Sequence, residues 1–286
     1  MKRLIRFLAK DGGTYYGDAI LPQGVADISR SKRARIITGD IFGKHHVTDQ
    51  VVDIRLLLPP LAPSDVGTVR CVGLNYANHA KEANMEQPQY PLLFYKPPTA
   101  LSGPVDPITV PPMAQETAGV DYECEMVIVI GKRCRDVPES EALDCVFGYA
   151  VGNDVTHRDW QLQRGEGQWS LGKGFDTWAP YGPGVVTSNV IKDPQNLRIW
   201  TKVNGETLQD SSTAEMIFGV RKVISLLSRG VTLMAGDLIF TGTPAGVGMC
   251  RNPQNWLKDG DVVEVGLEQI GACTNRVEFD KEEANL

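Results

Sequence analysis

The segment Tyr122-Glu123-Cys124-Glu125-Met126-Val127-Ile128-Val129-Ile130 limits the fold of this 286-residue chain more than any other. Its apolar and β-branched residues suit an extended strand, in which side chains alternate between faces. Glu123 and Glu125 then share one side and Cys124 takes the other. From Met126 onward neither face carries a polar group, so the strand must lie between two packed layers. Two carboxylates at the mouth of such a strand repel each other and lose hydration unless something neutralises them. A divalent cation does so directly. An all-carboxylate set suits Mg2+, with Mn2+ or Ca2+ as substitutes, rather than zinc. The plainer alternative leaves Glu125 slightly buried and Glu123 as a solvated edge residue.

Elsewhere the chain reads as short strands with few helices. Residues 1–54 alternate apolar runs with turns, and the prolines of Leu56–Pro63 interrupt any ladder, which makes that run a connector. The expected division is a small N-terminal α+β domain over residues 1–66 and a larger domain over residues 67–286. In the larger part, Thr68–Gly73 reads as a buried strand, followed by a helix from Asn75 to Ala83 with Asn75 as its N-cap. Residues 97–119 read as an ordered loop, Ser140–Val146 as a short helix and Phe147–Val151 as a strand. Asn204-Gly205 marks a two-residue hairpin turn. Thr213–Ser228 is the longest expected helix, and strands are expected at Leu238–Thr241 and Val262–Val265. No regular strand–helix–strand rhythm appears, so the fold class is α+β and β-rich.

Composition removes several classes of function. Lys and Arg number 29 against 35 Asp and Glu, a net charge of −6, so no basic excess points to nucleic acid. No apolar run approaches the roughly 18 residues that cross a membrane. The six cysteines show neither zinc nor disulfide spacing and are expected to be reduced. The basic start, Met1–Gly13, lacks the apolar core of a secretory signal. A cytoplasmic location is expected, with the mitochondrial matrix as the alternative.

Four further features carry chemistry. Asp154 ends the second buried strand at its rim and can complete a three-carboxylate metal site with Glu123 and Glu125. Asp159 competes from the same loop, but its setting fits a surface pair. Of the four histidines, His79 has Glu82 three residues on, on one helical face. A carboxylate against one imidazole nitrogen leaves the other free to carry a proton, although such pairs are also ordinary surface contacts. His157 reads as a solvated turn residue beside Arg158, and His45-His46 as loop. Lys173, between Gly172 and Gly174, can offer a point charge to a developing enolate or stand as a surface lysine. Thr241–Gly248 can cradle an anion with its amides, but it is not a dinucleotide fingerprint. A metal-binding protein without catalysis is the non-enzymatic alternative.

Taken in order, these segments resemble the fumarylacetoacetate hydrolase superfamily over residues 68–278. The resemblance rests on Gly73-Leu74-Asn75-Tyr76 with His79 and Glu82, Phe94-Tyr95-Lys96-Pro97, Tyr122–Glu125, Gly152-Asn153-Asp154 with Arg158-Asp159-Trp160-Gln161, Gly172–Asp176 and Thr241–Val247. It implies a β-rich mixed roll or sandwich as the catalytic domain, and Mg2+ held by Glu123, Glu125 and Asp154. It also implies His79 with Glu82 as the general-base pair and Lys173 beside the reacting oxo oxygen. Gln161, Gly242 and Thr243 are implied in substrate binding, with Thr243 receiving the substrate carboxylate. The whole chain looks closer to the short branch of the family.

The activity that this resemblance implies is action on 2-oxo (β-diketo) acids through an enolate. The first expectation is hydrolytic C–C cleavage of an acylpyruvate. The alternatives are enol–keto tautomerisation or decarboxylation of oxaloacetate, or a specialised substrate of fungal-type secondary metabolism. The resemblance also implies a twofold homodimer with an isologous interface. Light scattering on the purified chain should therefore give twice the 31.3 kDa chain mass, and a clean monomer would contradict it.

Overall fold

The computed structural model describes residues 1–281. The first 66 residues supply four strands, β1 (Arg3–Ala9), β2 (Thr14–Ile20), β3 (Arg33–Gly39) and β4 (His45–Leu58). They close on one another: β1 pairs with both β2 and β4, and each of those pairs with β3. His45 and His46 begin β4 rather than lying in a loop, and the connector starts only at Pro59.

The remaining strands are β5 (Val69–Gly73), β6 (Leu92–Lys96), β7 (Leu101–Ser102), β8 (Ile108–Val110), β9 (Val120–Asp121) and β10 (Cys124–Ile130). They continue with β11 (Val146–Asn153), β12 (Thr156–His157), β13 (Ala179–Thr187), β14 (Arg198–Val203), β15 (Glu206–Ser212), β16 (Leu238–Phe240), β17 (Val262–Leu267) and β18 (Gly271–Phe279). The large sheet runs β2-β3-β4-β1-β13-β11-β10-β16-β5-β6, with β7 beside β13. A five-stranded sheet, β15-β14-β17-β18-β8, forms the second layer, and β9 pairs with β12. The N-terminal strands join the large sheet through Arg3↔Val186 and Leu4↔Val185.

Strand β10 is buried on both faces, as its composition requires. Cys124, Met126, Ile128 and Ile130 enter one core, together with Ile199, Val265, Leu267 and Val277 of the second sheet. Val127 and Val129 enter another core with Cys71, Phe94, Ala150, Tyr181 and Phe240. Glu123 and Glu125 continue the odd-numbered face beyond Val127. The strand itself begins at Cys124, one turn of chain after β9, because Glu123 N–H donates to Asn153 Oδ1 (2.9 Å) and its carbonyl accepts from Asp154 N–H (2.9 Å). This break in the ladder still leaves the two glutamates on one side.

Two α-helices are present among the described residues, α1 (Ala77–Glu82) and α2 (Val220–Ser228). The first is not capped by Asn75: Tyr76 holds the N-cap position without a side-chain bond. The fully buried Asn75 is spent on tertiary structure. Its Nδ2 donates to Phe218 O (3.0 Å) and Thr241 O (2.7 Å), while Oδ1 accepts from Phe218 N–H (2.7 Å). The same contacts shorten the second helix. Phe218 N–H and Ile217 N–H go to Asn75, so residues 213–219 form a 3-10 turn and a connection, and the α-helix starts at Val220. Ser140–Val146 is likewise a 3-10 turn, Glu139–Cys145. The expected hairpin turn is present, with Asn204 and Gly205 both at positive φ.

Asn75 therefore ties the start of α1, the approach to α2 and the end of β16 to one another. Asn75→Ala should cost about 2–3 kcal/mol, because it leaves buried backbone groups without partners. Urea denaturation checks this, and a loss below about 0.5 kcal/mol would contradict it.

Candidate metal centre and active site

The pocket between β10, β11 and the end of β16 gathers most of the expected residues. His79, Glu123, Glu125, Asp154, Gln161, Lys173, Gly242 and Thr243 all line it, and Glu82 stands directly behind His79. One carboxylate oxygen from each of Glu123, Glu125 and Asp154 lies within 4.8 Å of the others. Ligand oxygens around a six-coordinate Mg2+ lie about 3 to 4.2 Å apart. The three carboxylates therefore fit such an ion with small side-chain adjustments.

The cluster is dense in charge. Lys173 Nζ contacts Glu123 Oε2 (3.0 Å) and Asp154 Oδ2 (2.7 Å) and donates to Thr156 Oγ1 (2.6 Å). Lys96 Nζ lies 2.7 Å from Asp154 Oδ1 and also bonds the carbonyls of Val155, Trp178 and Lys173. The three carbonyls use the three protons of Lys96, so Asp154 Oδ1 is buried beside the ammonium without a hydrogen bond and is open to another cation. Arg158 reaches Glu123 Oε1 (2.7 Å), Asp121 Oδ2 (2.8 Å) and Gln161 Oε1 (3.0 Å). Three cations thus face the four carboxylates of Asp121, Glu123, Glu125 and Asp154.

These neighbours set the acidities apart. Burial pushes the Glu123 carboxyl up, but Lys173 and Arg158 overcome it and bring the pKa down to about 2. Among the described residues no cation pairs directly with Glu125, and Lys173 lowers it only from a distance. Burial first, then the charges of Asp154 and Glu123, hold its carboxyl well above the usual range. Its one side-chain hydrogen bond among the described residues comes from Gly242 N–H to Oε2 at 2.7 Å. A proton on Glu125 brings the four-carboxylate, three-cation cluster to neutrality, and a dication is its natural replacement.

His79 is buried at 7% exposure, with Nδ1 2.8 Å from Glu82 Oε1. Glu82 in turn accepts from Gly246 N–H with both oxygens (3.0 and 2.9 Å). Gly246 has φ +106°, and a Cβ there would meet Leu208 O at 2.2 Å, so only glycine brings its amide to this place.

Several expectations need correction. Lys173 is not a free point charge, because it lies among the carboxylates with its Nζ 5.0 Å from the centre of the Phe94 ring. Thr243 reaches the pocket, but its hydroxyl donates to Cys124 O (3.0 Å) and accepts from Gln209 Nε2 (2.9 Å). The Gly242 amide serves Glu125, so neither group is open to a carboxylate without rearrangement. His157 is buried, with Nε2 3.2 Å from Thr117 O, rather than sitting in a solvated turn. Asp159 does form surface contacts, to Arg164 and Thr117. Arg158, Lys96 and Asp121 were given no role from sequence. Lys96 carried a usable signal, since it shares its strand face with the buried Phe94.

A family model described as fumarylacetoacetate (FAA) hydrolase C-terminal matches residues 68–278. The chain belongs to this family. It is 47% identical over 225 residues to the fumarylacetoacetate hydrolase domain-containing protein 2 homolog of Dictyostelium discoideum, covering 76% of this chain and 73% of that one. It is 42% identical over 257 residues to oxaloacetate tautomerase FAHD2A, mitochondrial, of Bos taurus, covering 90% and 78%. Among solved structures, 2-hydroxyhepta-2,4-diene-1,7-dioate isomerase from Mycobacterium marinum superposes with a TM-score of 0.81. It is 36% identical, and the match covers 99% of this chain and 100% of that one. This is an enzyme of the fumarylacetoacetate hydrolase family with an acidic cluster suited to a divalent metal.

The split acidities have a measurable consequence. Glu125 has a folded pKa above its unfolded value, so its stabilising effect is full below about pH 4.5 and is lost as pH rises towards the folded value. Glu123 acts oppositely, and its contribution is lost only as pH falls towards about 2. As pH rises above about 4.5, the melting temperature gained on adding Mg2+ should therefore grow, because Mg2+ displaces a proton. A gain independent of pH would contradict the assignment of that proton to Glu125.

Proposed function

We propose that the protein is a divalent-metal-dependent tautomerase that interconverts the enol and keto forms of oxaloacetate. The observation that carries this reading is the His79–Glu82 pair, held at 2.8 Å and set against the three-carboxylate cluster in one pocket. Glu123, Glu125 and Asp154 would hold Mg2+, which supplies Lewis-acid stabilisation of negative charge on the 2-oxo oxygen. Replacing the Glu125 proton with a dication leaves the surrounding cluster one unit positive, a charge balance that favours an anionic 2-oxo acid.

The chain's own residues account for the proton. With Nδ1–H donated to Glu82, His79 keeps Nε2 for a proton travelling to or from carbon 3 of the substrate. In the ketonising direction, Nε2 takes the proton of the enol hydroxyl and returns one to carbon 3, so an O–H bond and the carbon 2–carbon 3 π bond are exchanged for a C–H bond and the oxo π bond with no net change in protons. Lys173 and Arg158 hold Glu123 ionised. Phe94, Trp169, Leu74 and Met249 line the same pocket with apolar surface, which would shield the reacting carbon of a bound substrate from bulk water.

The name of the bovine relative supports tautomerisation of oxaloacetate above the acylpyruvate hydrolysis first expected from the sequence. Hydrolysis would also require a positioned water beside a distal carbonyl. Decarboxylation shares the same enolate. The names of such relatives likewise favour a mitochondrial location over a cytoplasmic one. Assembly as a homodimer remains part of the proposal.

The test follows enol decay, CO2 release and acetylpyruvate cleavage separately with Mg2+ present. Enol decay should dominate, and faster cleavage of acetylpyruvate would overturn the reading in favour of hydrolysis. His79→Ala should lower turnover by about 10²–10⁴-fold, with metal affinity unchanged within a few-fold. Glu82→Gln should lose less, because it orients His79 without touching the metal site.

A further inference from the structure

The loop after β16 directs several of its amides into the protein. It uses them on three carboxylates of its own chain. Gly242 N–H donates to Glu125, Gly246 N–H to Glu82, and Gly248 and Met249 N–H to Asp121 (2.7 and 3.0 Å). Two of those carboxylates already have functional partners: Glu125 in the acidic cluster and Glu82 behind His79. The third, Asp121, has none assigned to it.

Asp121 is fully buried, and its acceptor capacity is heavily used. Oδ1 accepts from Tyr122 N–H (2.9 Å) and Gly248 N–H, and Oδ2 accepts from Met249 N–H and from Arg158 Nε (2.8 Å). The approach is close enough that a Cβ on Gly248 would meet Asn255 O at 2.0 Å and Asp121 Oδ1 at 2.7 Å. On its far side the same guanidinium reaches Glu123 Oε1 and Gln161 Oε1. A planar guanidinium keeps its five donors in a fixed fork, so an anchor at Nε sets the direction of both terminal nitrogens.

We propose that Asp121 is a positioning residue that acts through Arg158: it locks the guanidinium against Glu123 and Gln161 and ties both to the loop that holds Glu82. It touches neither metal nor substrate. The unit links the acidic cluster to the proton-carrying pair, so that a shift of the loop is felt at both. This inference rests on the reading of the pocket as a metal-dependent proton-transfer site.

A double-substitution cycle with Asp121→Asn and Arg158→Lys tests it on Mn2+-loaded protein. Two readouts are taken, oxalate affinity by calorimetry and turnover of enol oxaloacetate. Asp121→Asn should reduce turnover about 30-fold and oxalate affinity about tenfold, within the coupling range of contacting residues. In the Arg158→Lys background it should change each by less than about threefold, because the route through the guanidinium is already broken. Equal losses in both backgrounds would mean a general structural role and would overturn the proposal. If Asp121→Asn does not fold, Asp121→Ser, which keeps an acceptor for the amides and removes the charge, replaces it in the cycle. Oxalate binding needs no turnover. Wild-type protein that binds oxalate but leaves oxaloacetate unchanged sinks the tautomerase reading alone, and the cycle is still read from affinity. Wild-type protein that binds no Mn2+ overturns both.

Discussion

Neutralising buried carboxylates is the constraint around which this molecule is arranged. Glu123, Glu125, Asp154 and Asp121 are all almost fully buried, and an unpaired buried charge costs several kcal/mol. Lys96, Lys173 and Arg158 meet that cost from three different parts of the chain: a sheet edge, a 3-10 turn and the loop after β12. Each of these cations also bonds a backbone carbonyl, a hydroxyl or an amide oxygen. The electrostatics and the folding of the surrounding loops are therefore one problem. Glu125 is the exception, with no cation of its own, and it gives the site room for a proton or a dication.

The loop after β16 shows how such an arrangement is held. Its glycines bring amides to within 3 Å of carboxylates that a side chain would keep away. Gly242 has φ +93°, and a Cβ there would meet the Asn75 Cβ at 2.7 Å. The loop thus belongs to the scaffold beneath the pocket as much as to the pocket wall. Asn75 connects that scaffold to α1, which carries His79, and to the approach to α2.

Much of the acidic cluster was legible in the sequence. Strand alternation placed Glu123 and Glu125 together, and Asp154 followed from its place at the rim of the next strand, which pairs with β10 through Glu125↔Gly152. The His79–Glu82 pair followed from helical spacing. The errors share a cause. Arg158 and His157 look like turn residues because their neighbours are polar, yet β12 and Arg158 directly after it are covered by other parts of the chain. Asn75 looks like a helix cap because the local pattern suits one, but three distant backbone groups compete for its side chain and win. The long helix expected from Thr213 fails for the same reason.

The sequence by itself determined a two-sided buried strand with two acidic groups on one face, because strand alternation is a local property and apolar runs must leave water. It also determined the β-rich class, through many short runs broken by glycine and proline. Only the tertiary structure decided which cations neutralise which carboxylates, and that Thr243 and Gly242 serve protein groups. Those pairings join residues up to more than a hundred positions apart, such as Gly242 and Glu125. No local periodicity encodes them. They exist because layered sheets bring distant charges into one low-dielectric space, where each must find a partner.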